Sequence, residues 1–100
     1  MNNHIVCICG VIEGNWHYSS NVLTISSSKL IISGTFSLEM EIRDIISISD
    51  EPFRIKRRKL LIQYDQKGCI QELTLRLLGQ KEKKKVIEFL KAHGVSCNCR

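Results

Sequence analysis

This chain has little of the material from which linkers, membrane spans and nucleic-acid platforms are built. Its 100 residues include one proline and six glycines, and no stretch is rich in either. Six aromatic residues are too few for a surface on which nucleic-acid bases would stack. The apolar runs are too short to cross a bilayer. The sequence therefore predicts a single folded domain over residues 1–100, with nucleic acid the least favoured partner.

Motifs of catalysis are also missing. The chain contains no GxSxG, no HExxH and no glycine-rich phosphate loop. Its run of serines, Ser26, Ser27 and Ser28, is typical of a turn rather than of a nucleophile. We expect a protein that is not an enzyme, uses no cofactor and takes no small-molecule substrate.

The cysteines are odd in number and occur without an export signal, which favours reduced thiols and a cytoplasmic location. They comprise two CxC pairs and one isolated residue: Cys7, Cys9, Cys97, Cys99 and Cys69. Two CxC pairs could supply four thiolates to zinc, or they could oxidise. However, Cys7 and Cys9 share a strand face with Ile5, as core residues do, and residues 95–100 resemble a loose tail. We predict no metal site.

Short apolar runs separated by turn signals dominate residues 4–78. The clearest alternation is in "FSLEMEI", where Phe36, Leu38, Met40 and Ile42 would face a core. After Gly79 the period becomes helical, which predicts a helix over about residues 80–93. No connection is long enough for a parallel crossover. The expected fold is mainly β: bent antiparallel sheets, or a partly open β-barrel of six to seven strands, capped by one C-terminal helix.

This order of elements resembles the pleckstrin-homology-like superfamily, in particular small prokaryotic PH domains and the related GRAM domains. The similar segments are "VLTISSSKLIISG", "FSLEMEIRDIISISD", "LLIQYDQKG" and "ELTLRLLGQKEKKKVIEFLK". The resemblance implies a domain that works by binding, either as a protein adaptor or at anionic lipid headgroups. The first loop, "EGNWHYSSN", is not basic, so the headgroup site of lipid-binding members does not transfer to it.

Charge is divided sharply along the chain. Residues 1–53 carry two basic against six acidic side chains, whereas residues 54–100 carry thirteen against four. Two clusters hold most of the excess. The first basic cluster is Arg54, Lys56, Arg57, Arg58 and Lys59, and the second basic cluster is Lys81, Lys83, Lys84 and Lys85.

Each cluster has two interpretations. The first could hold phosphate groups, or it could be a solvated loop that protects a strand from aggregation. The second lies at a helix start, where the helix dipole disfavours cations and an anion would relieve them. If the two clusters are adjacent in space, anion binding gains support. Apart from charge, Trp16 and Tyr18 are candidates for a protein contact; alternatively, the tryptophan could fold back over the barrel mouth at the end of the sheet.

The leading hypothesis is an adaptor that binds a protein partner through strand edges, the helix or the Trp16 loop. The alternative is a peripheral binder of anionic lipid headgroups at the membrane through both basic clusters. The sequence leaves the oligomeric state open.

Overall fold

A computed structural model describes residues 4–50 and 59–98 of the chain. The strands are β1 (Ile5–Glu13), β2 (Trp16–Ile25), β3 (Lys29–Gly34), β4 (Leu38–Glu41), β5 (Ile45–Asp50), β6 (Lys59–Gln66), β7 (Cys69–Leu77) and β8 (Ser96–Asn98). A short 3₁₀ turn covers Ile42–Asp44, and the helix α1 covers Gln80–Ala92. The prediction of a mainly β fold with one C-terminal helix is confirmed for the described part of the chain.

The eight described strands form one open sheet in the order β4-β3-β2-β1-β7-β6-β5-β8. Among the described strands, consecutive ones pair antiparallel from β1 to β4 and again from β5 to β7, but β4 does not pair with β5. β1 also pairs antiparallel with β7. The exception is β8, which runs parallel to β5 at the edge of the sheet. Because β1 joins the two runs of hairpins, residues far apart in sequence meet along its length.

The expectation of six or seven strands and a loose tail was wrong for residues 96–98. Gly94, at φ +90°, ends α1 in the left-handed conformation. The Val95 N–H then donates to the Leu90 carbonyl and the Gly94 N–H to the Lys91 carbonyl, which is a Schellman motif. This turn buries Val95 in the core and directs Ser96–Asn98 along β5. Residues 96–98 therefore form a strand through main-chain pairing with β5. Such pairing does not require alternating apolar residues, so the sequence shows no sign of this strand.

The core lies between the sheet and α1. Alternate residues of the long strands point to it, for example Leu73, Leu75 and Leu77 of β7. On α1 the buried residues are Lys83, Val86 and Leu90, spaced by one helical turn. Of these, Val86 and Leu90 are fully buried, and they seal the apolar face of the sheet.

One buried polar residue fixes the corner between β2 and β3. The Asn21 side chain is fully buried; its Nδ2 donates to the Tyr18 carbonyl at 3.0 Å. Its Oδ1 accepts from the Phe36 N–H at 2.8 Å and from the Thr35 hydroxyl at 3.3 Å. Asn21 lies directly opposite Gly34 in the β2–β3 pairing. The corner is thus held by side-chain hydrogen bonds that replace main-chain pairing where β3 ends at Gly34.

Candidate binding surface

A groove of about 610 Å³ opens between the first half of β1 and the start of α1. We call it the β1–α1 groove. Its walls come from three places in the sequence and are formed by His4, Ile5, Val6, Cys7, Ile8, Leu78, Glu82 and Lys85. The β1–β7 register explains why the groove exists: β7 ends at Leu77, opposite Cys9, and the chain then leaves the sheet to begin α1.

The strand edge inside the groove is open. β1 pairs with β2 from Ile5 to Glu13, but its pairing with β7 covers Cys9–Ile12. Among the described residues, no strand lies along the β7 side of Ile5–Ile8. An open strand edge offers main-chain donors and acceptors to a further extended chain. The groove therefore contains a template for strand pairing as well as a cavity.

Apolar side chains surround this open edge. Val6 is 58% exposed, Ile8 is 54% exposed and Leu78 is 59% exposed. Val22, which lies opposite Ile8 on β2, is also exposed and extends the same face. Single exposed apolar residues are ordinary, but a contiguous group beside a cavity is typical of an interaction site.

The helix wall of the groove is charged. Glu82 and Lys85 line it, and Lys81 and Lys84 are exposed on the same two turns. Lys81, Lys84 and Lys85 are spaced three and four residues apart and so share one helix face. The α1 N-cap residue, Gly79, supplies no side-chain hydrogen bond. Positive charge thus accumulates at the helix end of the groove.

Lys83 does not belong to this surface. Its side chain is buried, at 4% exposure for the residue, and its ammonium forms an ion pair with the Asp50 carboxylate at the end of β5. The prediction that all four lysines of the second basic cluster form a binding surface was wrong for this one. The burial of Lys83 could have been predicted from the helical spacing. Lys83 lies three residues before Val86 and seven before Leu90, on the helix face that contacts the core.

The first basic cluster falls mostly outside the described residues, namely Arg54, Lys56, Arg57 and Arg58. Its last member, Lys59, is half-buried at the start of β6 and pairs with Arg76 of β7. Asp50, at the end of β5, lies opposite Leu60 and contacts Lys83 of α1. The strand ends that flank residues 51–58 therefore lie beside the first turns of α1.

The two aromatic candidates are separated by the fold. Trp16 is 70% exposed at the start of β2, so it does not fold back over the sheet. Tyr18 is half-buried, with its ring 5.1 Å from that of Phe36 between centroids. Both residues lie at the hairpin end of β1, whereas the groove lies at its beginning. Trp16 is thus an exposed aromatic outside the groove, and Tyr18 is part of the packing.

Within the described residues, Cys7, Cys9 and Cys69 are not gathered into one site with Cys97. Cys7 and Cys9 are free thiols on β1, Cys69 is an exposed free thiol on β7, and Cys97 is in a disulfide bond. Cys99 lies outside the described residues. Within the described part of the chain, no group of three or more His, Cys, Asp or Glu side chains is placed to hold a metal ion.

The thiol inside the groove is not an activated nucleophile. Burial raises the pKa of Cys7, and the nearby Glu82 carboxylate raises it further, while Lys85 opposes them. Burial, with a smaller contribution from Cys7, raises the pKa of Cys9 to about 11. Both residues therefore remain protonated near neutral pH, and the groove is suited to binding rather than to thiol chemistry.

The Cys9 thiol should make stability fall in alkaline solution. Its stabilising effect is complete below the ordinary pKa of 9.0 and is lost as pH rises toward about 11, because the folded state resists ionisation. Urea unfolding of the wild-type chain and of Cys9→Ala at pH 8 and pH 10.5 checks this. We expect the variant to lose less stability between the two pH values. Equal losses would show that Cys9 does not control this pH dependence.

No known family model matches this chain, and no curated protein sequence matches it significantly. No helix within residues 4–50 and 59–98 combines the length and apolar character needed to span a membrane.

Proposed function

We propose that this chain is a non-enzymatic binding domain that acts as an adaptor by holding a segment of a protein partner in the β1–α1 groove. One observation carries the proposal: three exposed apolar side chains, Val6, Ile8 and Leu78, surround an open strand edge beside a cavity. Proteins use such grooves to recognise other proteins by main-chain pairing combined with side-chain pockets. The resemblance to PH-like adaptor domains supports the same use.

Headgroup binding is the second candidate. It is favoured by three exposed lysines of α1: Lys81, Lys84 and Lys85. It is also favoured by the position beside α1 of Asp50 and Lys59, which flank the segment that carries the other residues of the first basic cluster. We rank it second because Lys83 is buried, which leaves three exposed lysines of the second basic cluster to contact a headgroup. The two functions differ in salt response, because binding to a charged headgroup weakens steeply as ionic strength rises.

Selection of binding peptides tests the proposal. A random-peptide library is displayed against the immobilised chain at physiological ionic strength, and the peptides recovered are measured against two variants. Ile8→Arg places a charge in the groove, whereas Ile70→Arg makes the same change at a 66% exposed isoleucine of β7 outside it. We expect selected peptides to bind the wild type and Ile70→Arg alike, and to bind Ile8→Arg about tenfold more weakly or worse.

Liposome sedimentation distinguishes the second candidate. Anionic and neutral vesicles are compared with the wild type, Ile8→Arg and a Lys81→Gln/Lys84→Gln/Lys85→Gln variant at low and physiological salt. If no groove-dependent peptide is recovered and anionic vesicles bind at physiological salt through the lysines, headgroup binding replaces the adaptor proposal. Circular dichroism of each variant confirms that the fold is retained.

A further inference from the structure

We infer that the groove takes an extended peptide segment, which adds to the Ile5–Ile8 edge of β1 as a new strand, carries apolar residues at alternate positions and is flanked by acidic residues. The inference rests on the proposed function and specifies the partner. Three features of the groove define this chemistry: its main-chain edge, its apolar face and its charge.

The main-chain edge specifies an extended occupant. Four residues of β1 lie beyond the end of its pairing with β7, a length of about 13 Å. A peptide placed there continues the line of β7, which ends at Leu77 opposite Cys9. Every second residue of β1 directs its main-chain groups toward the peptide. Only alternate N–H groups of the peptide therefore donate hydrogen bonds to β1. A helix would leave these groups of β1 without partners.

The two faces of the edge specify the side chains. Val6 and Ile8 point to the outer face of the sheet, where Leu78 is also exposed, so apolar side chains of the peptide on this face would cover them. On the other face, the peptide meets Cys7, Glu82 and Lys85 under the start of α1. Polar side chains fit that side. The alternation of the peptide is therefore apolar outward and polar toward the helix.

Charge specifies the flanking residues and selects against a second copy of this chain. Lys81, Lys84 and Lys85 form a positive face at the helix end of the groove, which attracts an acidic segment. In a two-fold dimer built on β1 edges, the same three lysines of both copies would be brought toward one groove region and would repel. A segment of another protein that has apolar residues flanked by acidic ones would complement both the apolar side chains at the edge and the positive face formed by the lysines.

Synthetic peptides test strand addition directly. The probe is a fluorescent peptide of alternating valine and threonine with glutamates at both ends, compared with the same peptide flanked by lysines. Two further versions carry N-methyl groups on one or on the other set of alternate residues, which removes the N–H donors of one edge at a time. We expect one N-methylated version to bind like the parent and the other to lose at least about tenfold in affinity.

Charge reversal tests the lysine face. Lys85→Glu should weaken the glutamate-flanked peptide and strengthen the lysine-flanked one, each by several fold. The matched control is Lys91→Glu, the same change on an exposed lysine in the last turn of α1, which should alter neither affinity. Equal effects of Lys85→Glu and Lys91→Glu would overturn the charge assignment.

The outcomes separate the inference from the proposed function. If selected peptides depend on Ile8 but both N-methylated versions bind equally well, or neither flanked peptide binds, strand addition is wrong while the adaptor function stands. If sedimentation shows that the unliganded chain dimerises and Ile8→Arg makes it monomeric, the occupant is a second copy, and the inference is likewise overturned.

Discussion

Replacing Gly34 by alanine should destabilise the fold by about 3 kcal/mol, one of the largest effects expected of any single methyl group in this chain. Gly34 has φ +141°, a conformation that side chains rarely adopt. A Cβ there would lie 2.7 Å from the Ser20 carbonyl oxygen and 2.8 Å from Asn21 Oδ1. Both distances are below van der Waals contact, so the corner must move.

The movement cannot be confined to Gly34. Asn21 Oδ1 is the atom that accepts from the Phe36 N–H and the Thr35 hydroxyl, and Asn21 has no exposed surface. Displacing the amide therefore breaks buried hydrogen bonds in addition to straining the backbone. For a domain of this size, about 3 kcal/mol corresponds to a fall in Tm of roughly 15 °C.

Gly68→Ala is the matched control. Gly68 also has positive φ, +86°, but nothing lies within 4 Å of the position that a Cβ would take. Alanine there costs about 1 kcal/mol for the left-handed backbone alone. The difference in stability between the two variants, measured by thermal and urea unfolding, gives the cost of the close contacts that a Cβ at Gly34 would make. If Gly34→Ala is no less stable than Gly68→Ala, the Asn21 corner does not constrain the fold as described.

Asp50→Ala should be the second strongly destabilising change, by about 2 to 3 kcal/mol. The carboxylate contacts the ammonium of Lys83, a residue with 4% of its surface exposed, and Asp50 itself is 21% exposed at its side chain. Removing the carboxylate takes one negative charge away from an ammonium whose side chain is almost fully buried, which is costly because little water is available to replace it. The pair also joins the end of β5 to the first turns of α1, so α1 should loosen.

Lys83→Met removes the cation instead and should cost no more than about 1 kcal/mol, because an apolar side chain of similar length fits beside Val86 and Leu90. The contrast between the two variants, measured by urea unfolding, is more informative than either value. Equal destabilisation by Asp50→Ala and Lys83→Met would indicate that packing, rather than charge, dominates this contact.

Much of the architecture could be predicted from the sequence because period-two and helical patterns record which face of each element is buried. Leu73, Leu75 and Leu77 identify β7, and Val86 and Leu90 identify the inner face of α1. The strand β8 could not be predicted. Its three residues pair with β5 through the main chain, and Ser96 and Asn98 are exposed, so no apolar alternation marks them.

The candidate site was less predictable than the fold. Strand edges were named as a docking surface, but the open edge at Ile5–Ile8 depends on the register of β1 with β7, which side-chain patterns do not fix. Charge density suggested four lysines as one surface, whereas Lys83 is drawn inward by its place on the helix and by Asp50. Trp16, also predicted as a binding residue, is exposed but lies beside the other end of β1, so its role stays a prediction.

The central claim is that the β1–α1 groove is where this protein binds its partner. The most direct measurement is the affinity of one selected peptide for Ile8→Arg relative to Ile70→Arg, since both variants place arginine at an exposed isoleucine. We predict that Ile70→Arg binds as the wild type does and that Ile8→Arg binds at least about tenfold more weakly. Equal affinities for the two variants would contradict the account and move the binding surface away from the groove.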